Sequence, residues 1–252
     1  MSELHVVVVS FGLEPMLQQC LVSIRTAAAS VERSVAVTVI DNGSPVPYGS
    51  EIVPKGIDVE IVRLDVANGF AAACNLGASR GSSERVLFLN NDVLCHEDVI
   101  IDVDATMSSL GAQLCGTRLV RPDGSIQHCG IRFDAGHRGP YHWRNFEPSR
   151  SVSRRPELFQ AVTGAFLMIE RDAFESLDGF DETYPFAYED VDLCLRAGRA
   201  GLFVACAQGT DSIHLQGASR NQWSEVRERE ARRVFFARWG GRYTIDGSED
   251  EP

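Results

Sequence analysis

Val86-Leu87-Phe88-Leu89-Asn90-Asn91-Asp92-Val93 is the stretch that decides how this chain is read. An apolar run stops abruptly at two amides and a carboxylate. Such a run, bounded by polar residues, has the pattern of a strand buried on both faces near the middle of a sheet. Its polar tip then stands at the carboxyl edge, where open α/β sheets bind ligands. Oxygen donors there suit Mg²⁺ or Mn²⁺ shared with a phosphate. The same three residues are also those of an Asx-rich turn capping the next helix.

Working outward, Leu4 to Ser10 is a β-rich apolar run, and Glu14 to Ala29 places Met16, Leu17, Cys20, Leu21 and Ile24 on one face of a helix. Val35 to Asp41 predicts a second buried strand ending in the turn signal Asp41-Asn42-Gly43-Ser44. A proline-bearing loop leads to a strand at Val59 to Leu64, a helix at Gly69 to Arg80 and the Val86 to Asn90 strand. Strands alternating with helices imply a mainly parallel, Rossmann-like α/β sheet with helices on both faces. Residues 1–120 thus form the expected nucleotide-binding half.

Residues 121–245 change character. Pro122-Asp123-Gly124 predicts a hairpin turn inside Leu119 to Ile131. His137 to Arg155 has no period and reads as a mobile loop. Phe159 to Ile169 reads as one strand, with a helix from Arg171, a short helix at Tyr188 to Ala200, a strand at Leu202 to Ala207 and a final helix at Arg227 to Trp239. Residues 246–252 read as a disordered acidic tail. Both halves are expected to belong to one domain.

With 252 residues, 44% hydrophobic and 23% charged, the composition is that of a globular protein. A formal charge of −11 argues against a nucleic-acid binder. It also means that a diphosphate ligand would need local help, which a bridging divalent cation gives. The seven cysteines stand singly with no Cys-x-x-Cys pair, so buried reduced thiols are expected. No apolar run is long enough to span a bilayer and no basic-then-apolar leader opens the sequence, so a cytoplasmic protein is expected, with room for peripheral membrane contact.

Four polar clusters stand at element ends: Asp41 to Ser44, Asn68 to Asn75, Asn90 to Asp92 and Glu189 to Asp192. His214 follows a strand-like run. Each has a plain structural reading alone: a turn, a surface amide, a hydrogen-bonded histidine, or acids favoured by a helix dipole. In order, however, Val6-Val7-Val8-Val9-Ser10-Phe11, Val39-Ile40-Asp41-Asn42-Gly43-Ser44, Asn68 to Gly77 and Leu87 to Asp92 resemble the donor-site motifs of family 2 glycosyltransferases. Thr163-Gly164-Ala165-Phe166, Gly179-Phe180-Asp181-Glu182 and Tyr188 to Arg196 resemble the acceptor-side motifs of the rhamnosyltransferase-like branch.

The resemblance implies a GT-A fold, a dTDP- or UDP-linked sugar donor, Mn²⁺ or Mg²⁺, an inverting transfer, and a glycan, lipid-linked or small-molecule acceptor. It assigns Ser10, Phe11, Asp41 and Asn75 to the nucleoside, and Asn68, Gly69 and Phe70 to a turn of close backbone approach. Asn90, Asn91 and Asp92 stand where the family carries its Asp-x-Asp motif, and Asn90 and Asn91 are assigned to the donor. Asn90 replaces the first acid, so Asp92 becomes the expected metal ligand, with His214 completing the shell. Gly164 would line the sugar pocket. Asp190 is the expected base that takes the acceptor hydroxyl's proton, with Glu189 raising its pKa or orienting acceptor hydroxyls. His137, Arg138, Tyr141, His142, Trp143 and Arg144 are candidates for a lid. Arg232 and Arg233 have the plainer expectation of pairing with nearby acids.

Two other readings compete. A sugar nucleotidyltransferase would need a Gly-rich loop with a nearby lysine, and Lys55 is the chain's one lysine. A catalytically idle carbohydrate- or nucleotide-binding protein could keep the fold without the chemistry.

Overall fold

The computed structural model describes residues 3–12, 14–134, 139–215 and 222–246. The elements run β1 (Leu4–Ser10), α1 (Glu14–Ala29), β2 (Val35–Asp41), β3 (Asp58–Arg63), α2 (Phe70–Ala78), β4 (Arg85–Asn90), β5 (Val93–Leu94) and α3 (Val99–Leu110). They continue β6 (Leu114–Val120), β7 (Ile126–His128), β8 (Ile131–Asp134), β9 (Gly139–His142), β10 (Glu157–Phe159) and β11 (Phe166–Glu170). The last are α4 (Arg171–Ser176), α5 (Glu189–Arg199), β12 (Val204–His214) and α6 (Gln222–Trp239).

The main sheet has the order β10-β12-β6-β11-β4-β1-β2-β3, and β8 and β9 form a separate hairpin. β4, β1, β2 and β3 are mutually parallel. β11 enters antiparallel between β4 and β6, and β12 runs parallel to β6. The result is a mixed, mostly parallel sheet with helices on both faces. Strand alternation divides the core: Val86 and Phe88 of β4 face α2, α4, α5 and α6, whereas Leu87 and Leu89 face α1 and α3. Phe88 lies 4.8 Å from the Phe180 ring and 5.1 Å from Phe174, a cluster whose burial contributes about 2–3 kcal/mol per ring.

Several expectations are corrected. The single strand at Phe159 to Ile169 is two, β10 and β11, because Thr163 and Gly164 turn their N–H groups out of the sheet to His128 and Asp190. β12 runs on to His214, so that histidine ends a strand rather than following one. α3 has no counterpart in the sequence reading, although Val99, Ile100, Val103 and Met107 share a buried face and Gly111, at φ +62°, closes it. The 137–155 segment is not a bare loop. It contains β9 and a turn at Ser149–Ser151, fixed by the fully buried Arg118, which donates to Ser149 O at 3.2 Å and to Ser153 O.

The hairpin at Pro122-Asp123-Gly124 joins β6 to β7 as its turn chemistry predicts, with Gly124 at φ +80°. The seven cysteines are free thiols, six of them buried. Asp246, first residue of the expected tail, accepts from Phe133 N at 2.7 Å; residues 247–252, like His137 and Arg138, lie outside the described residues. Among the described residues no helix is long and apolar enough to cross a membrane.

Candidate active site

The carboxyl ends of β1, β2 and β4 and the start of α2 bring the first three polar clusters to one edge. Ser10, at the tip of β1, accepts a hydrogen bond from Asn91 Nδ2 at 2.8 Å and meets the Tyr48 hydroxyl at 2.7 Å. Asp41 is fully buried; one carboxylate oxygen accepts from Ser44 N at 2.9 Å, the other from Arg63 Nη1 at 2.6 Å. Asn42 clasps the Asn68 backbone from both sides, donating to its carbonyl at 2.9 Å and accepting from its N–H at 2.8 Å. Asn68 in turn accepts from Gly69 N, which starts α2. A Cβ added at Gly69 would meet nothing nearer than Tyr184 O at 3.9 Å, so the space over this turn is open. Phe11 is exposed beside it.

Asn75, expected beside the nucleoside, spends its amide on the 179–182 turn. It accepts from Phe180 N and donates to Phe180 O and Glu182 Oε1, each at 2.9 Å. That turn holds Phe180 against Phe88, so in this structure Asn75 braces the site from behind.

Asp92 and His214, separated by 122 residues in sequence, meet with Oδ1 and Nε2 at 3.0 Å, both buried. The other His214 nitrogen, Nδ1, is hydrogen-bonded to the Gln127 side-chain oxygen. An amide oxygen only accepts, so Nδ1 carries a proton and a neutral ring turns its Nε2 lone pair toward a carboxylate oxygen. Two facing acceptors are satisfied by an added proton or a cation. One carboxylate and one imidazole oriented by a second-layer partner are a donor set that fits a divalent ion. Among the described residues no group of three or more His, Cys, Asp or Glu is placed to hold a metal, so the remaining positions would fall to phosphate and water. Asn90, half-buried beside the pair, is available to a ligand or to such a water.

The acids of α5 follow a tight turn in which Ala187 and Tyr188 have φ of +76° and +69°. Left-handed backbone at non-glycine residues costs about 1–3 kcal/mol each. Packing pays for it here, since the Tyr188 ring stacks on Phe235 of α6 at 5.0 Å. Asp190 is half-buried and accepts from Gly164 N at 2.7 Å and Val191 N at 2.8 Å. Burial nevertheless raises its pKa. Glu189 is buried with Oε2 unpartnered, and burial, then the neighbouring Asp190, pushes its carboxyl up to about 8.

Gly164 stands close to the acid: a Cβ there would lie a tight 3.2 Å from Asp190 Cβ and in ordinary contact, 3.7 Å, with the Phe70 ring. Asp192, one turn on, is different. It is fully buried and accepts from Trp239 Nε1 at 2.7 Å, Arg196 Nε at 2.7 Å and the Tyr184 hydroxyl at 3.2 Å, tying α6 to α5.

One short segment joins the two sides. Ala165 O accepts from Asn90 N at 3.0 Å, at the end of β4, while the adjacent Gly164 N holds Asp190. Tyr48, Arg63, Gln127 and His128 were not anticipated from sequence. Their roles depend on partners far along the chain, and only the buried-strand setting of Gln127-His128 after a hairpin turn offers a signal. Of the lid candidates, Tyr141, His142 and Trp143 are half-buried and Arg144 exposed, with its guanidinium 5.2 Å from the Trp143 ring.

The profile of the family described as "Glycosyl transferase family 2" matches residues 5–178. The O-antigen biosynthesis protein RfbC of Myxococcus xanthus is 32% identical over 194 residues, 73% of this chain and 15% of that protein. The N-acetylglucosaminyl-diphospho-decaprenol L-rhamnosyltransferase of Mycobacterium tuberculosis is 28% identical over 238 residues, 84% of this chain and 75% of that protein. A crystal structure of GalNAc-T7 with UDP, GalNAc and Mn²⁺ superposes with a TM-score of 0.68 at 14% identity, covering 93% of this chain and 48% of that one. This chain thus spans a small part of RfbC and about half of GalNAc-T7, and the structural likeness is one of fold.

Proposed function

The chain belongs to glycosyl transferase family 2, and on that premise we propose that it moves a sugar from a dTDP- or UDP-linked donor to an acceptor hydroxyl with inversion. The observation that carries the reading is the Gly164–Ala165 segment, which ties Asp190 to the strand end bearing Asn90, Asn91 and Asp92. That link supports reading Asp190 as the proton acceptor beside a diphosphate at Asn90 to Asp92.

In this reading Ser10, Phe11 and Asp41 receive the nucleoside, and Asn68, Gly69 and Phe70 line the backbone turn against it. Asn75 holds the 179–182 turn that supports them. Asn90 and Asn91 face the ribose and the diphosphate, and Gly164 leaves room for the sugar. Asp92 and His214 hold Mn²⁺ or Mg²⁺, which when bound offsets the charge of the departing diphosphate. Asp190 accepts the acceptor hydroxyl's proton as that oxygen attacks the anomeric carbon from the face opposite the leaving group. Its raised pKa suits a base working near neutrality. Glu189, which keeps its own proton to about pH 8, is a neutral donor able to orient an acceptor hydroxyl.

The relative named for L-rhamnosyl transfer supports a deoxyhexose donor and a diphospho-lipid acceptor as the first pair to try. In this reading residues 1–120 supply most of the donor site, and 121–245 bring Asp190 and Glu189 to the acceptor while lending His214 and Gly164 to the donor.

The test is a thermal-shift panel of UDP, dTDP, GDP and ADP, each with Mn²⁺, Mg²⁺ or EDTA, since a ligand bound only by the folded state raises its stability. A shift selective for one pyrimidine diphosphate and dependent on metal is expected. No shift with any of the four would return the chain to the idle-scaffold reading.

A further inference from the structure

Arg121 stands where β6 ends, and two strand registers bring it to the Asp92–His214 pair. β6 runs parallel to β12 with Val120 opposite Ile213, so the next residues, Arg121 and His214, end neighbouring strands side by side. β12 in turn has His214 opposite Val93, the residue after Asp92. Neighbouring strands lie about 4.8 Å apart. Arg121 and His214 line one hollow of about 310 Å³ together with Pro122, Asp123 and Leu215.

The guanidinium is held in place but not used up. Nη1 donates to Ile126 O at 2.6 Å and to Ser125 Oγ at 3.5 Å, and Nη2 donates to Asn145 Oδ1 at 2.7 Å. Its central carbon lies 4.1 Å from the centre of the Phe146 ring, a cation–π contact that fixes its direction further. A carbonyl, a hydroxyl and an amide are all neutral partners, and Arg121 forms no ion pair among the described residues. An arginine has five N–H donors. Nε–H and the second Nη2–H of Arg121 have no partner among the described residues.

The sign of the hollow follows from its charges. The Asp123 carboxylate, which also lines it, is turned to Ser125 N and Oγ at 2.9 and 2.7 Å. The Asp92 carboxylate is bonded to His214. One guanidinium against two carboxylates repels a bare anion. A divalent ion on Asp92 and His214 reverses that balance, and Arg121 then adds a second cationic donor for an anion that the ion carries.

We propose that Arg121 is a donor-binding residue whose unpartnered N–H groups donate to a phosphate oxygen of the nucleotide diphosphate in the hollow shared with His214. This rests on the nucleotide-sugar reading above. The β6–β7 hairpin then serves the diphosphate twice, through Gln127, which orients His214, and through Arg121.

The experiment is titration calorimetry, with Mn²⁺ present, of wild type, Arg121→Gln, Arg121→Lys and Asn145→Ala with UDP and dTDP. A hydrogen bond between charged groups predicts that Arg121→Gln binds the diphosphate about tenfold more weakly. Arg121→Lys, which keeps the charge without the planar fork, should recover part of that loss. Asn145→Ala removes a brace and leaves the guanidinium, so its affinity should stay near that of wild type. Arg121→Met takes the place of Arg121→Gln should the latter not fold. Diphosphate affinity unchanged in Arg121→Gln overturns the proposal, as does an equal loss in Arg121→Lys. An equal loss in Asn145→Ala overturns it too, because Arg121 would then act by holding the hairpin. Wild type that binds no nucleoside diphosphate at all would instead overturn the nucleotide-sugar reading, and this proposal with it.

Discussion

The two polar edges of the molecule treat their carboxylates and amides in opposite ways. On the nucleotide side, Ser10, Asp41, Asn42, Asn68 and Asn91 are bonded to one another or to nearby backbone, and the buried Asp41 has a partner on each oxygen. On the acceptor side, Glu189 is buried with an oxygen left over, next to a second carboxylate, after two left-handed residues. A satisfied polar network is rigid and holds a ligand in one pose. A buried acid with an unpartnered oxygen beside a second carboxylate is costly to the fold, and burial raises the pKa of both, which is where proton transfer is expected. In the proposed function the difference gives recognition to one edge and reaction to the other. Within α5 itself the contrast repeats, since Asp192 has a full set of donors and serves the fold.

The sharpest way to break this division is Asp190→Asn. It should lower transfer by about 10³-fold while leaving the affinity for the nucleotide unchanged, read by donor turnover and by calorimetry. Loss of both together would mean that Asp190 supports the fold rather than the reaction. Asp192→Ala should act on stability, removing about 3 kcal/mol in urea unfolding, because Arg196 and Trp239 lose a buried acceptor.

Glu189→Gln sharpens the comparison through pH. An acid whose folded pKa lies above its unfolded one keeps its proton in the folded state across that interval. The folded protein therefore binds more protons than the unfolded one between pH 4.5 and about 8, and stability falls as pH rises through that window. The glutamine variant should lose much of that fall and exceed wild type at pH 8 by on the order of 2 kcal/mol, measured by unfolding at pH 5 and pH 8. Smallest is Asn42→Ala, which removes the clasp on Asn68 and should cost about 1 kcal/mol, with a weakened nucleotide site.

The parallel half was open to reading because its signals are local. Leu4–Ser10, Glu14–Ala29 and Val35–Asp41 match their predicted bounds, since burial on both faces or on one helix stripe is written in consecutive residues. The later half hides its pattern in long-range pairing. β11 is stopped short because Thr163 and Gly164 give their N–H groups to His128 and Asp190, which no local period records. The 139–155 segment owes its order to Arg118, whose partners lie on β12 and in the segment itself. Polar residues at element ends could be picked out, Asp92, His214 and Asp190 among them, and the structure brings Asp92 and His214 together. Their supports, Tyr48, Arg63 and Gln127, could not, because a buried polar residue is recognisable only once its partner is known.

The Asp92–His214 pair is the proposed seat of the cation that carries the diphosphate. Mn²⁺ binding should be followed by electron paramagnetic resonance in wild type and Asp92→Asn, with and without UDP or dTDP. Tight binding that needs the diphosphate and is lost in Asp92→Asn is the predicted result. Mn²⁺ and nucleotide binding left intact in Asp92→Asn would contradict it.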